Sequence, residues 1–186
     1  MPFHFDATIV TDRLSLIPAT ATHVQAELLG TSAFGELIHA AIPPSWPPGD
    51  YDRDAQEFFL RSLIETGAAG VGWFGWYAVR KADQQTPATV VGCGGYFGPP
   101  SANSVVEIGY SVCPEWQGSG YARDMIQALV AHVLQHAAVS RVIAHTHAHN
   151  GASMAVLRHC GFVQAAHADQ PDALLFEWNP PKATTT

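Results

Sequence analysis

The chain has 186 residues, and its 47% hydrophobic and 13% charged content indicates one folded domain and excludes an intrinsically disordered chain. Nine Lys plus Arg against sixteen Asp plus Glu give a formal net charge of −7, so a nucleic-acid partner is not expected. The opening MPFHFD does not resemble a signal peptide, and no apolar run is long enough to predict a membrane span.

A strand and two short helices are predicted at the start of the chain. Residues 8–17 alternate apolar and polar side chains, which indicates a strand. Thr20 or Thr22 can cap a helix that ends at Leu29, and residues 32–40 can form a second helix.

A proline-rich loop follows these helices. The segment IPPSWPPGD (42–50) carries four prolines, which exclude a helix or a central strand and predict a stiff loop with an exposed Trp46. Asp50 or Asp52 can cap the next helix, which is predicted to end near Glu65. The apolar face of that helix is predicted to consist of Phe58, Phe59, Leu63 and Ile64.

The second half of the chain predicts a sheet with two further helices. Residues 73–81, 89–97 and 105–112 form three strands, antiparallel because short turn-forming segments join them. The remaining elements are a helix at 122–138, a strand at 141–148, a helix at 151–159, a strand from Phe162 and a strand at 173–178. The predicted fold is mixed α/β, with helices on a largely antiparallel sheet in one domain over residues 1–180, and a disordered tail at 181–186.

The most informative segment lies between the strand at 105–112 and the following helix. Gly118 and Gly120 precede the helix, where a glycine backbone can approach a ligand and successive N–H groups favour a pyrophosphate. A simple glycine turn before a helix also fits this pattern. A P-loop or a Rossmann fingerprint does not, because the residues that define those motifs are missing.

Two blocks of the sequence resemble the GNAT superfamily of N-acetyltransferases. Residues 117–122, QGSGYA, resemble the acetyl-CoA motif [RQ]-x-x-G-x-[GA], and residues 150–162 resemble N-x-x-S-x-x-V-L-x-x-x-G-F. The second block is similar to the branch of ribosomal-protein N-terminal acetyltransferases, and TDRLSLIPAT resembles the first strand of that branch. The resemblance implies a sheet whose fourth and fifth strands, here 105–112 and 141–148, splay apart to admit the pantetheine arm of acetyl-CoA.

The resemblance also implies the residues that bind the coenzyme. The backbone of the strand end would bind the pantetheine amides, and the loop would bind the pyrophosphate, with Arg123 either adding charge there or lying in solvent. Asn150 and Ser153 would contact the pantetheine arm or the thiol. The implied set is Ser111, Val112, Cys113, Gln117, Gly118, Ser119, Gly120, Tyr121, Ala122, Arg123, Asn150 and Ser153.

Glu107 resembles the acidic position that some members of the family use as a general base, directly or through water, since attack on a thioester needs an amine that has lost its proton. The alternative is that Glu107 only positions the amine. The family's usual oxyanion donor is a backbone N–H near Val112. Many relatives carry a tyrosine that protonates the thiolate where this chain has Leu157, so Ser153, a water or no group would serve as the acid.

Three histidines and three cysteines are further candidates for reactive groups. His145, His147 and His149 alternate on a predicted strand, so they share one face and could form a metal site or accept a proton. The family needs no metal, and we expect none. The cysteines at 93, 113 and 160 form no C-x-x-C pair, which indicates a reduced, cytoplasmic protein.

The predicted function is acetyl-CoA-dependent transfer of an acetyl group to a primary amine by direct attack in a ternary complex. The amine would be a small molecule or a protein N-terminus, with Trp46 as a wall of its pocket. The alternative is a CoA-binding sensor or interaction module without turnover. A monomer or homodimer is expected, without a membrane partner.

Overall fold

The computed structural model describes residues 7–166 and 172–179. The predicted tail at 181–186 lies outside these residues. The strands are β1 (Ile9–Val10), β2 (Leu14–Pro18), β3 (Phe74–Arg80), β4 (Thr89–Phe97), β5 (Val105–Val112), β6 (Arg141–His147), β7 (Val163–Gln164) and β8 (Ala173–Trp178). The α-helices are α1 (Ala21–Leu29), α2 (Thr31–Ile38), α3 (Arg53–Thr66), α4 (Tyr121–Val133) and α5 (Gly151–His159).

These strands form a sheet in the order β1-β2-β3-β4-β5-β6-β8-β7. Every neighbouring pair is antiparallel except β5 and β6, which run parallel. Their pairing covers only Val105–Glu107 against Arg141–Ile143, although both strands continue beyond it. The sheet therefore opens between β5 and β6, which confirms the mixed α/β fold with splayed strands.

Helices cover both faces of the sheet. Neighbouring residues of a strand point to opposite faces, and the ring of Trp76 contacts His132 of α4, whereas that of Tyr77 contacts Phe34 of α2. The side chains of these strand residues are fully buried. The sheet thus separates an α1–α3 face from an α4 face. None of the helices in the described ranges has the length and apolar character needed to cross a bilayer.

Side-chain caps define where several helices begin. Thr20 accepts a hydrogen bond from the backbone of His23, and Asp52 accepts one from Ala55, so each satisfies an N–H group that the helix leaves unpaired. The predicted starts of α1 and α3 are confirmed. The bounds predicted for β4, β5, α5 and β8 agree with the structure.

Two predicted elements are shorter than expected. The strand predicted at 8–17 is a hairpin of β1 and β2, because the N–H of Thr11 donates to Leu14 O and closes a turn. The helix predicted to reach residue 138 ends at Val133, where turns such as His136 N to Val133 O replace the i to i−4 bonds.

The apolar face of α3 is narrower than predicted. Phe59 and Leu63 are buried, but Phe58 is 39% and Ile64 is 59% exposed. Residues four apart in a helix lie on one face, which turns Phe59 and Leu63 toward the core and their neighbours toward solvent.

The prediction that Trp46 is exposed is wrong, because its side chain is only 8% exposed. Its Nε1 donates to Oε1 of Glu27 at 2.8 Å, and its ring stacks on Phe34 with centroids 5.6 Å apart. The prolines exclude regular structure in the loop, but they leave its direction open. Burial of the indole against α1 and α2 determines that direction.

Candidate active site

Two cavities meet where β5 and β6 part. We call the first, of about 290 Å³, the aromatic cavity; it lies against β3, β4, β5 and α3. We call the second, of about 560 Å³, the glycine-loop cavity; it lies beside residues 117–120 and the start of α4. The residues that line both cavities are Asp50, Tyr110, Ser111, Asn150 and Ser153.

The glycine loop can hold an anion. Gly118 and Gly120 have φ angles of 74° and 82°, in the left-handed region that favours glycine. Gly120 is the N-cap of α4, and no side chain of the described residues caps this helix start. The first N–H groups of α4 therefore face outward without helical partners and fit a phosphate or pyrophosphate.

Arg13 supports this loop, and the sequence did not predict it as a site residue. Its Nη1 donates to Ser119 O at 2.9 Å and its Nε donates to Asp124 at 2.7 Å, while its guanidinium lies 4.7 Å from the ring centroid of Tyr121. Arg13 lies within the opening TDRLSLIPAT that resembles the family's first strand. Nothing in the linear sequence pairs it with a loop more than a hundred residues away.

Most residues predicted to bind the coenzyme are brought to this cavity. Ser119 and Cys113 are not among the described residues that line it. The predicted residues that do line it are Ser111, Val112, Gln117, Gly118, Gly120, Tyr121, Ala122, Arg123, Asn150 and Ser153.

The end of β5 presents backbone groups to the gap. The N–H of Cys113 donates to Val91 O at 2.9 Å, so this group is paired within the sheet. The backbone N–H and C=O groups of successive strand residues point to opposite sides. Those of Ser111 therefore also point toward β4, whereas those of Val112 and Tyr110 point into the gap. The side-chain amide of Gln117 donates to Val112 O at 2.9 Å and so braces this strand end.

Tyr110 and Ser153 join the two sides of the gap. The hydroxyl of Tyr110 lies 2.8 Å from Ser153 Oγ, and burial raises the pKa of Tyr110 to about 12. The side chain of Asn150 accepts from the N–H of Ser153 at 3.0 Å, so it caps α5 as well as lining both cavities. Leu157 is fully buried and supplies no acid. Sequence reasoning missed Tyr110, although it lies in the segment EIGYSV between Glu107 and the glycine loop.

Glu107 and His145 form a pair at the wall of the aromatic cavity. Oε1 of Glu107 lies 2.7 Å from Nδ1 of His145, and the two side chains are 32% and 11% exposed. His147, the last residue of β6, also lines this cavity. His149 lies beyond the strand, and the exposed rings of His147 and His149 stack 5.2 Å apart. The prediction that all three share a strand face is therefore wrong. In the described ranges, no group of three His, Cys, Asp or Glu side chains is placed to hold a metal ion.

A buried carboxylate supports the aromatic cavity from behind. Glu27 accepts hydrogen bonds from Trp46, Tyr51, Gln56 and Tyr77 at 2.7–3.0 Å. Burial raises the pKa of Glu27, and the four hydrogen bonds oppose that shift because they favour the ionised form. Tyr51 and Tyr77 line the cavity, whereas Trp46 is not among the described lining residues. The structure thus places Trp46 behind the wall of the pocket.

The proline-rich loop also covers the junction of the two cavities. The hydroxyl of Ser45 donates to the carboxylate of Glu115, in the turn just before the glycine loop. A Cβ added to Gly49 would lie 3.1 Å from Ser111 Oγ, so the loop packs directly against β5. The loop is therefore held against both α1 and the strand end that carries the glycine loop.

Comparisons with known proteins place this geometry in context. Residues 13–163 match the family model described as acetyltransferase (GNAT) domain. The chain is 28% identical over 118 residues to the uncharacterized N-acetyltransferase YjdG of Bacillus subtilis. The aligned residues make up 63% of this chain and 67% of that protein.

Solved structures of acetyltransferases share the fold. A ribosomal-protein-S5-alanine acetyltransferase from Vibrio fischeri superposes with a TM-score of 0.65 at 16% identity, over 94% of this chain and 97% of that one. The microcin C7 self-immunity acetyltransferase MccE, in complex with acetyl-CoA and AMP, has a TM-score of 0.59 at 16% identity, over 91% and 94% of the two chains. At such identities the likeness establishes the fold alone.

Proposed function

The chain belongs to the GNAT acetyltransferase family, and from that premise we propose that it transfers the acetyl group of acetyl-CoA to a primary amine by direct attack in a ternary complex. The observation that carries the proposal is the junction of the two cavities. An anion-binding glycine loop lies in one cavity, a carboxylate lines the other, and Tyr110 and Ser153 line both. A donor and an acceptor could therefore meet within one gap in the sheet.

The glycine-loop cavity suits the coenzyme. The N–H groups at the start of α4 would bind the pyrophosphate, with Arg123 in the first turn adding positive charge. The backbone groups of Tyr110 would bind the pantetheine arm, much as a strand edge binds a peptide. Arg13 would keep the loop in shape without contacting the coenzyme.

Glu107 would accept the proton that the amine loses. Its carboxylate lines the aromatic cavity and stays about one third exposed, so an amine or an intervening water can reach it. The ionised carboxylate can only accept hydrogen bonds, so Nδ1 of His145 carries the proton between them. This contact fixes the direction of the carboxylate and can stabilise its charge.

The remaining groups would stabilise the charge that develops during transfer. The N–H of Val112 points into the gap and can donate to the thioester oxygen as it gains negative charge. The hydroxyls of Tyr110 and Ser153 form a connected pair at the junction and can donate to the departing sulfur. This pair would take over the role of the tyrosine that many relatives carry at the position of Leu157.

The test is release of free CoA thiol from acetyl-CoA in the presence of a panel of primary amines and short peptides. We expect amine-dependent thiol release that is saturable in both substrates, with the acetylated amine identified by mass spectrometry. Calorimetry on the same preparation reports whether acetyl-CoA binds. Binding without transfer to any amine would contradict the proposal and favour a CoA-binding module without turnover.

A further inference from the structure

We infer that the acceptor is a small primary amine joined by a short chain to an aromatic ring. This inference rests on the proposed function and adds the class of amine to it. The aromatic cavity supplies three independent observations: its walls, its size and its charge.

Aromatic rings form much of the cavity wall. The rings of Phe59 and Phe97 stack with centroids 6.1 Å apart and an interplanar angle of 24°. Phe97 remains 48% exposed although it lines a cavity, so its ring has apolar surface left to cover. Gly109 lies beneath that ring, where an added Cβ would come within 2.9 Å of it. Tyr51 and Tyr77 contribute to the same lining, and such walls favour a flat apolar group.

The size of the cavity fits a ring with a short arm. A dry cavity of about 150 Å³ in another protein accommodates benzene. The aromatic cavity measures about 290 Å³, which leaves room for two or three further carbon atoms and an amino group. An amine of this kind can place its ring among the aromatic walls and its nitrogen beside Glu107.

The charge of the cavity favours a cation and disfavours an anion. Asp50 and Glu107 line it, and of the described lining residues none is Lys or Arg. The carboxylate of Glu27 lies just behind Tyr51 and Tyr77, to which it is hydrogen-bonded. An ammonium group is therefore attracted into the cavity before it is deprotonated. An acceptor with a carboxylate or phosphate next to the amine would be repelled.

The proline-rich loop limits the length of the acceptor. Trp46 anchors the loop to Glu27, Ser45 anchors it to Glu115, and Gly49 packs against Ser111. The loop thus lies over the sheet beside the cavity, and its residue Asp50 lines the cavity wall. A compact amine needs no displacement of this loop.

The experiment compares acetylation of 2-phenylethylamine, n-butylamine, phenylalanine and a peptide with a free N-terminal serine. We expect kcat/KM for 2-phenylethylamine to exceed that for n-butylamine by about 10- to 100-fold, because the ring buries more apolar surface against the cavity walls than the two end carbons of n-butylamine do. Phenylalanine, which adds a carboxylate beside the amine, should be a poorer substrate than 2-phenylethylamine.

Two variants tie this preference to the cavity. Phe97→Ala should lower kcat/KM for 2-phenylethylamine and leave that for n-butylamine nearly unchanged. Ile64→Ala is the control, since Ile64 is 59% exposed on α3 and is not among the described lining residues. It should leave both amines unaffected.

The outcomes separate this inference from the proposed function. Transfer to amines without a preference for the aromatic one, or a better rate with the peptide, would overturn the inference alone. Equal losses for both amines in Phe97→Ala would do the same. Acetyl-CoA binding without any transfer would instead overturn the proposed function.

Discussion

Nδ1 of His145 lies 2.7 Å from Oε1 of Glu107, just beyond the last backbone pair that β5 and β6 share. Glu107 pairs with Ile143, and His145 is two residues further along β6, on the same side of the strand. The contact therefore joins the two strands at the point where the sheet opens. It holds a carboxylate in place on the wall of the aromatic cavity.

Replacing Glu107 tests the base. Glu107→Gln keeps the shape of the side chain and removes the proton acceptor, so kcat at neutral pH should fall about 10- to 1,000-fold. The dissociation constant for acetyl-CoA, measured by calorimetry, should be nearly unchanged. Glu177→Gln is the control. Glu177 lies on β8, forms an ion pair with Arg141 of β6 and is not among the described lining residues. A normal rate in Glu107→Gln would contradict its role as the base and assign the proton to His145 or to water.

The Tyr110 and Ser153 hydroxyls should act as one unit. Tyr110→Phe and Ser153→Ala should each lower kcat by about 10-fold or more, and the double variant should lose little beyond the larger single effect. Steady-state rates of the four proteins complete the cycle. Tyr96→Phe provides a control, since its hydroxyl donates to Leu129 O in the core at 2.6 Å. Strictly additive losses would show that the two hydroxyls act separately.

The glycine loop should not tolerate a branched side chain. Gly120 has a φ of 82°, and an added Cβ would approach Nη2 of Arg13 at 3.1 Å, so Gly120→Val should displace the loop and weaken acetyl-CoA binding. Gly67→Val also places a branched residue at a positive φ, 58°, but with open space around its Cβ, and serves as the control. Calorimetry measures both. Equal affinities in folded variants would contradict the loop assignment.

Trp46 should matter for stability more than for acceptor recognition. Trp46→Ala removes a buried ring and should lower the free energy of unfolding by about 3–5 kcal/mol. Because the loop touches both cavities, the Michaelis constants for both substrates should change together. Trp46→Phe retains a ring and removes only the donor to Glu27, so it should lower the free energy of unfolding by less than Trp46→Ala does. If Trp46→Ala is as stable as the native protein and changes only the Michaelis constant for the amine, Trp46 contacts the acceptor after all.

Glu27 should make stability depend on pH. Its pKa is raised in the folded protein, so the folded state holds this proton more tightly than the unfolded chain does. The resulting stability is complete below the unfolded pKa and is lost as the pH rises through the folded pKa. The side chain introduced by Glu27→Gln cannot titrate. The free energy of unfolding of this variant should therefore fall short of the native value by less at neutral pH than at acidic pH. Urea unfolding at several pH values measures this, and a constant deficit would contradict the shift.

The order of elements, and the glycine loop that we propose binds the coenzyme, can be predicted from the sequence alone. Periodicity and turn composition identify β4, β5, α5 and β8 because their hydrogen bonds and burial depend on nearby residues. Gly118 and Gly120 are recognisable because only glycine readily takes the left-handed backbone that the loop requires. Glu107 is recognisable by its resemblance to an acidic position of the family on the strand that leads to this loop, and its role as a base stays a prediction.

Only the tertiary structure decided which side chains meet. The contacts of Arg13 with Ser119, Tyr110 with Ser153 and Glu107 with His145 join residues between 38 and 106 positions apart, and no local pattern encodes them. Trp46 shows the same limit, since the prolines around it indicate a loop but not the surface on which the loop packs. That choice depends on the apolar area and the four donors gathered around Glu27, and these exist only once α1, α3, β3 and the loop have come together.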